Sequence, residues 1–154
     1  MTQLSLNLKV KFIAGDKGIT SVTVVPHQGM TWEFESSKKQ PQLEKLIGEW
    51  MECYSKGKQP KVVLPIDLHG FPPYTWRVLS RLREVPFGES LTYQQLAEST
   101  GSPKGARAAG NACGRNPCLI IIPCHRILAS NGLGGFSSGL DLKKSLLTFE
   151  KIKF

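Results

Sequence analysis

The chain has 154 residues, with 20 Lys and Arg against 12 Asp and Glu and a formal charge of +8 at neutral pH. Its apolar fraction of 40% and charged fraction of 21% suit one mid-sized globular domain or two small ones and exclude a disordered chain. The longest apolar run, residues 119–122, is far too short to cross a bilayer. The opening residues lack the apolar stretch of an export signal, so a cytoplasmic location without membrane contact is expected.

Charge is unevenly placed. Residues 1–69 hold 9 basic and 7 acidic side chains, and residues 70–154 hold 11 and 5, which points to a polyanionic partner for the C-terminal half. Cys53, Cys113, Cys118 and Cys124 are too few for a disulfide-stapled secreted chain of this length. They read as free thiols, each a core filler, a ligand or a nucleophile.

Leu4, Leu6, Leu8, Val10 and Phe12 alternate along one face of a strand. A turn at residues 15–18 leads to a second strand over 19–25, and Met30, Trp32 and Phe34 predict a third. The period then changes. Leu43, Leu46, Ile47, Trp50, Met51 and Tyr54 form the stripe of an amphipathic helix, and residues 62–68 return to edge-strand character around Pro65. This half reads as a small antiparallel sheet covered by one helix, a scaffold. Cys53, His27 and His69 have no ligand-pair spacing, and no metal is expected.

Gly70, Pro72 and Pro73 mark a linker. Trp76, Val78, Leu79 and Leu82 then predict the apolar face of a helix. Thr92 and Gln95 spell a capping box for the next helix. Thr100-Gly101-Ser102 predicts a tight turn, with Ser102 as cap and Pro103 opening the helix that follows. Such spacing is that of a helix-turn-helix. From Lys104 to Gly110 the second helix has no Asn, Gln, Asp or Glu to read base edges. Its methyl groups and hydrogens suit close packing or a sequence-independent fit into a groove, with Arg107 as the one long probe.

Residues 119–122 predict a fully buried strand, ended by Pro123, which delivers Cys124 and His125 side by side from a rigid support. A neighbouring imidazole raises the thiolate fraction, which is the logic of an activated nucleophile.

The run Ile122-Pro123-Cys124-His125-Arg126-Ile127 resembles the active-site signature of the O6-alkylguanine-DNA alkyltransferases, also called methylated-DNA–protein-cysteine methyltransferases. Further likenesses follow in family order across residues 65–150. They comprise residues 86–89 and 92–97, Lys104 to Gly110 with Asn116-Pro117, residues 134–139, and the closing 146–150. The resemblance implies an α+β fold. A small N-terminal antiparallel sheet with helix, ribonuclease H-like, spans 1–69, and a helix-turn-helix/winged-helix-like domain carrying DNA binding and chemistry spans 70–154.

The resemblance also implies irreversible, single-turnover transfer of an alkyl group from guanine O6 in DNA to Cys124, with O4-methylthymine as a further candidate substrate and no cofactor. His125, polarised by Glu150 and acting through a water, would take the thiol proton. Asn116 would hold the network, and Tyr93 would donate a proton to the leaving guanine. Arg107 would fill the vacated base stack from the minor groove of double-stranded DNA. Lys104, Ala106, Gly110, Arg115 and Arg126 would complete the DNA contacts, and Phe136, Ser137 and Ile127 the base pocket. A monomer is expected. Phe136 departs from the tyrosine of many relatives, and Cys113 and Cys118 stand where apolar residues are usual. The alternatives are an alkyltransferase-like binder, which would lack the acceptor cysteine, a winged-helix regulator and a cysteine hydrolase.

Overall fold

The computed structural model describes residues 5–154, so Leu4 of the predicted strand lies outside the described residues. The chain divides into two compact units: residues up to His69 with Pro117–Ile121, and Gly70–Asn116 with Ile122–Phe154.

In the first unit, β1 (Leu8–Gly15) buries every second residue, as its alternation predicts, with Val10 and Phe12 fully enclosed. It pairs antiparallel with β2 (Gly18–Pro26) across a two-residue turn. Gly18 has a φ of +133°, and a Cβ there would stand 2.8 Å from the Pro65 carbonyl oxygen, so both conformation and space demand glycine. β3 (Thr31–Ser36) corrects the expected antiparallel sheet: the order is β2-β1-β3, and β3 runs parallel to β1. The connection after β2 crosses the start of β1 instead of folding back beside β2. Asn7 fixes that crossing, its carbonyl accepting from His27 N at 3.1 Å and its side-chain oxygen from Gly29 N at 3.0 Å.

α1 (Pro41–Ser55) starts on a proline, whose missing N–H costs nothing there. It buries Leu43, Ile47, Trp50, Met51 and Tyr54, and Gly48 lets the Trp32 ring of β3 approach, a Cβ there meeting it at 3.4 Å. Residues 62–68 form only a single parallel bridge, Ile19 to Ile66, because Pro65 has no N–H to extend a ladder.

The predicted strand over 119–122 is absent. Pro117 and Leu119 exchange backbone hydrogen bonds with Val22 at 2.9 and 3.1 Å, making one bridge at Cys118. Ile120 then adopts a φ of +71° and Ile121 N turns back onto Leu119 O. Burial survives, since Ile120 and Ile121 are enclosed, but the extended backbone does not. A β-branched residue at positive φ stores roughly 1–3 kcal/mol of strain.

In the second unit, α2 (Pro73–Leu82) buries Thr75, Val78, Leu79 and Leu82. Trp76, predicted on that face, is 54% exposed; at 100° per residue it lies about 110° round from the centre of a stripe that Thr75 opens. β4 (Leu91–Thr92) leads into α3 (Tyr93–Ser99), where the capping box forms as predicted, with Gln95 N donating to Thr92 Oγ1 and Thr92 N to Gln95 Oε1. α4 (Ala106–Gly114) begins three residues later than expected. Gly105 N donates to Ser102 O at 2.8 Å, closing a turn with Pro103 at its favoured second position, so Ser102 is not the cap. A three-residue 3-10 turn, Cys124–Arg126, runs into β5 (Ile127–Leu128), which pairs parallel with β4. α5 (Leu140–Phe149) closes the chain. The described residues form a mixed α+β fold with small sheets and five α-helices.

Candidate active site

Cys124 opens the 3-10 turn, its backbone held by Cys124 N donating to Ile122 O at 2.8 Å. It lines a cavity of about 200 Å³ together with Tyr93, Gly110, Cys113, Gly114, Gly135, Phe136 and Ser137. Asn116, just past α4, donates from Nδ2 to Cys124 Sγ at 3.1 Å and to Ile122 O at 2.7 Å. One side chain therefore fixes both the sulfur and the turn that carries it. Burial pushes the Cys124 thiol up from its ordinary range, opposed by the Asn116 hydrogen bond and the Lys143 charge.

His125 and Arg126 point into the protein and converge on Glu150, at the C-terminus of α5. His125 Nε2 lies 2.6 Å from Glu150 Oε2, and Arg126 Nε donates to Glu150 Oε1 at 2.5 Å. All three are at least 96% buried. Burial would raise Glu150, yet His125 and Arg126 together outweigh it and hold the carboxyl at about 2. Burial also dominates at His125, lowering it against the pull of Glu150. The lowered imidazole is uncharged at neutral pH and donates from Nε2 to the Glu150 carboxylate, whose ionised form both His125 and Arg126 favour. His125 Nδ1 is buried and has no hydrogen-bond partner among the described residues, which leaves it as the ring atom able to accept a proton.

Two predicted roles are corrected here. Arg126 was expected on phosphate, but it is 4% exposed, bonded to Glu150 and, through Nη1, to Val85 O at 2.6 Å. Ile127 was expected in the base pocket, but it is fully buried in the β4–β5 pairing and does not line the cavity. The structure brings Cys124, Asn116, Tyr93, Phe136 and Ser137 together around the cavity region, and Gly110, expected on DNA, lines the cavity wall beside the Tyr93 ring. Lys104, in the turn before α4, and Arg107, in its first turn, are exposed, with Ala106 half-buried between them, and Arg115 is exposed just past its end.

Sequence reasoning passed over Lys143. It is fully buried, and its ammonium donates to Ile127 O at 2.6 Å and Gly135 O at 3.0 Å, 5.9 Å from the centre of the Tyr93 ring. Burial lowers its pKa. The signal was present, since Lys143, Leu146 and Leu147 occupy core spacing on α5. Tyr93 Oη donates to the same Gly135 carbonyl at 3.3 Å. Gly134, at φ +75°, brings the loop onto Tyr93, where a Cβ would stand 3.0 Å from the ring. Gly114 was likewise passed over as cavity lining, whereas Gly135 lies in the 134–139 segment whose likeness marks the substrate loop; Gly110, Cys113 and Gly114 share one helix face. No cluster of three or more metal-ligating side chains occurs among the described residues.

A family model described as the DNA-binding domain of 6-O-methylguanine DNA methyltransferase matches residues 73–152. A probable methylated-DNA–protein-cysteine methyltransferase of Acanthamoeba polyphaga mimivirus is 42% identical over 118 residues, 76% of this chain and 77% of that protein. A methylated-DNA–protein-cysteine methyltransferase of Saccharolobus solfataricus is 41% identical over 103 residues, 67% of this chain and 66% of that one. Among solved structures, Mycobacterium tuberculosis OGT in complex with DNA superposes with a TM-score of 0.73 at 27% identity, covering 93% of this chain and 92% of the other.

Proposed function

The chain belongs to the 6-O-methylguanine DNA methyltransferase family, and from that premise we propose that it repairs DNA by moving the alkyl group of an O6-alkylguanine onto its own Cys124. The observation that carries the reading is a buried thiol at an open cavity, hydrogen-bonded by Asn116 and followed in sequence by a neutral imidazole on a carboxylate.

In the proposed step the sulfur attacks the alkyl carbon in line. The C–S bond forms as the C–O6 bond breaks, and the electron pair leaves with the guanine. The raised thiol is protonated at rest, so its proton must go to a base during approach. His125 Nδ1 is the candidate, acting through a water, with Glu150 fixing the ring through Nε2. Asn116 Nδ2 and the Lys143 charge favour the developing thiolate. Tyr93 is the candidate donor to the departing base. The thioether product is not hydrolysed, so each molecule acts once.

A thiol at the bottom of a cavity cannot reach a stacked base, so the lesion must be extruded, which costs a few kcal/mol. Arg107, exposed on the small-residue α4, suits the role of filling the gap, with Lys104 and Arg115 on phosphates. Ala106 and Gly110 keep the helix low enough for close approach. The finer fold reading belongs to the same proposal: a ribonuclease H-like first unit, supported by a mixed sheet with one helix, and a helix-turn-helix/winged-helix-like second unit, supported by α3, α4 and the short β4–β5 ladder. So do a monomeric state and action in the cytoplasm; no helix among the described residues is long and apolar enough to cross a membrane.

The test is stoichiometric. Incubation with a duplex containing O6-methylguanine, followed by peptide mapping, should give one methyl per chain, on Cys124, with no second turnover. Cys124→Ala should bind the duplex and accept nothing. Repair by that variant, or a methyl found elsewhere, would overturn the assignment.

A further inference from the structure

Cys113 has no part in the chemistry above, yet α4 places it on the wall of the same cavity that Cys124 lines. Both thiols are free. They border one space of about 200 Å³ whose other walls are Gly110, Gly114 and Gly135, the phenyl ring of Phe136, Tyr93 and Ser137. Cys53 and Cys118 do not line it. A cavity lined by two cysteines, with no carboxylate and three side-chain-free wall positions, has the chemistry of a dithiol trap.

We propose that Cys113 and Cys124 form a two-thiol site for one small monosubstituted trivalent arsenical, R–As(OH)₂, which bridges both sulfurs and so occupies the alkyl acceptor. In the step two As–O bonds break and two As–S bonds form. Each S–H proton leaves with one hydroxide as water. Arsenic and sulfur keep their oxidation states, so no oxidant or reductant enters. The three glycines leave room for R.

Electrostatics selects this neutral reagent over a soft metal cation. Burial, and after it the neighbouring Cys124, push the Cys113 thiol up to about 12, and burial also raises Cys124, so both sulfurs hold protons at neutral pH. The Lys143 ammonium acts on both sulfurs and would repel an incoming cation. A reagent that removes each proton with its own leaving hydroxide meets neither obstacle.

Titration of the full chain with methylarsonous acid, read by intact mass, should give one arsenical per molecule. It should join the peptides holding Cys113 and Cys124, persist in excess 2-mercaptoethanol and leave on adding 2,3-dimercaptopropanol. Cys113→Ala and Cys113→Val, the second keeping the buried volume, should each lose retention by at least tenfold, while Cys53→Ser retains it. Equal retention in the Cys113 variants, or release by the monothiol, would overturn the site. Blocking of transfer rests on the function proposed above: the adduct should accept no methyl from an O6-methylguanine duplex until the dithiol frees it. A chain that traps the arsenical but is never methylated when untreated overturns the functional reading alone; one that is methylated but does not trap it overturns the dithiol site alone.

Discussion

Glu150→Gln isolates the buried carboxylate that joins His125 and Arg126. In the folded state the carboxyl sits at about 2, against an ordinary value of 4.5. A folded value below the unfolded one contributes stability that is complete above about pH 4.5 and is lost as the pH falls through about 2. A gap of about 2.5 units corresponds to about 3 kcal/mol at pH 7, shrinking to about 1.4 at pH 3 and under about 0.5 at pH 2. Because the side chain has no solvent exposure, no screening discount applies. The amide keeps the shape and one acceptor oxygen but removes the carboxylate charge, leaving the Arg126 guanidinium buried without its counter-ion, and breaking a buried pair in this way typically costs about 3–5 kcal/mol. Urea unfolding of wild type and Glu150→Gln at pH 7 and pH 3 measures both numbers. The expected gap is about 3 kcal/mol or more at pH 7, narrower by about 2 kcal/mol at pH 3, and partly restored by adding Arg126→Met to the variant. A variant within 0.5 kcal/mol of wild type at pH 7 (roughly the scatter of neutral surface changes), or a gap that ignores pH, would refute the account of the triad.

Lys143→Met removes the donor from two carbonyls and a cation from beside the thiol. It should destabilise by about 1–3 kcal/mol, and because the ammonium lowers Cys124, the pH–rate profile of transfer should move to higher pH; an unmoved profile would confine Lys143 to a structural role. Gly18→Ala meets the Pro65 backbone at 2.8 Å in a left-handed conformation and should lower stability by more than about 1 kcal/mol, read as a fall in the urea midpoint. Lys104→Ala should flatten the dependence of log K on log salt by about 0.9 for each phosphate contact removed, and Arg107→Ala should slow repair of a duplex more than of the free base. Equal slowing on both would remove its role in the stack.

Much of the site was legible because it is local. Pro123, Cys124 and His125 are consecutive, Thr92 and Gln95 are three apart, and alternation along β1 needs no partner to be seen. The orientation of β3 was not, because alternation looks the same in parallel and antiparallel pairs; the connection that sets it is held by Asn7, a single polar residue before β1. Residues 120–122 are as buried as a strand requires, but Ile120 turns the chain where composition shows only β-branching. Arg126 was expected on DNA because of its charge, and Lys143 was passed over. Their partners, Glu150, Val85, Ile127 and Gly135, lie 8 to 41 residues away, beyond any pattern of spacing.

The Gly135 carbonyl accepts from both Lys143 and Tyr93, so the loop over the cavity is tethered by the same ammonium whose field reaches the sulfur. Wall and floor are thereby one electrical and mechanical unit: a movement of residues 134–137 that stretches the tether also shifts the positive charge, and with it the readiness of Cys124 to lose its proton.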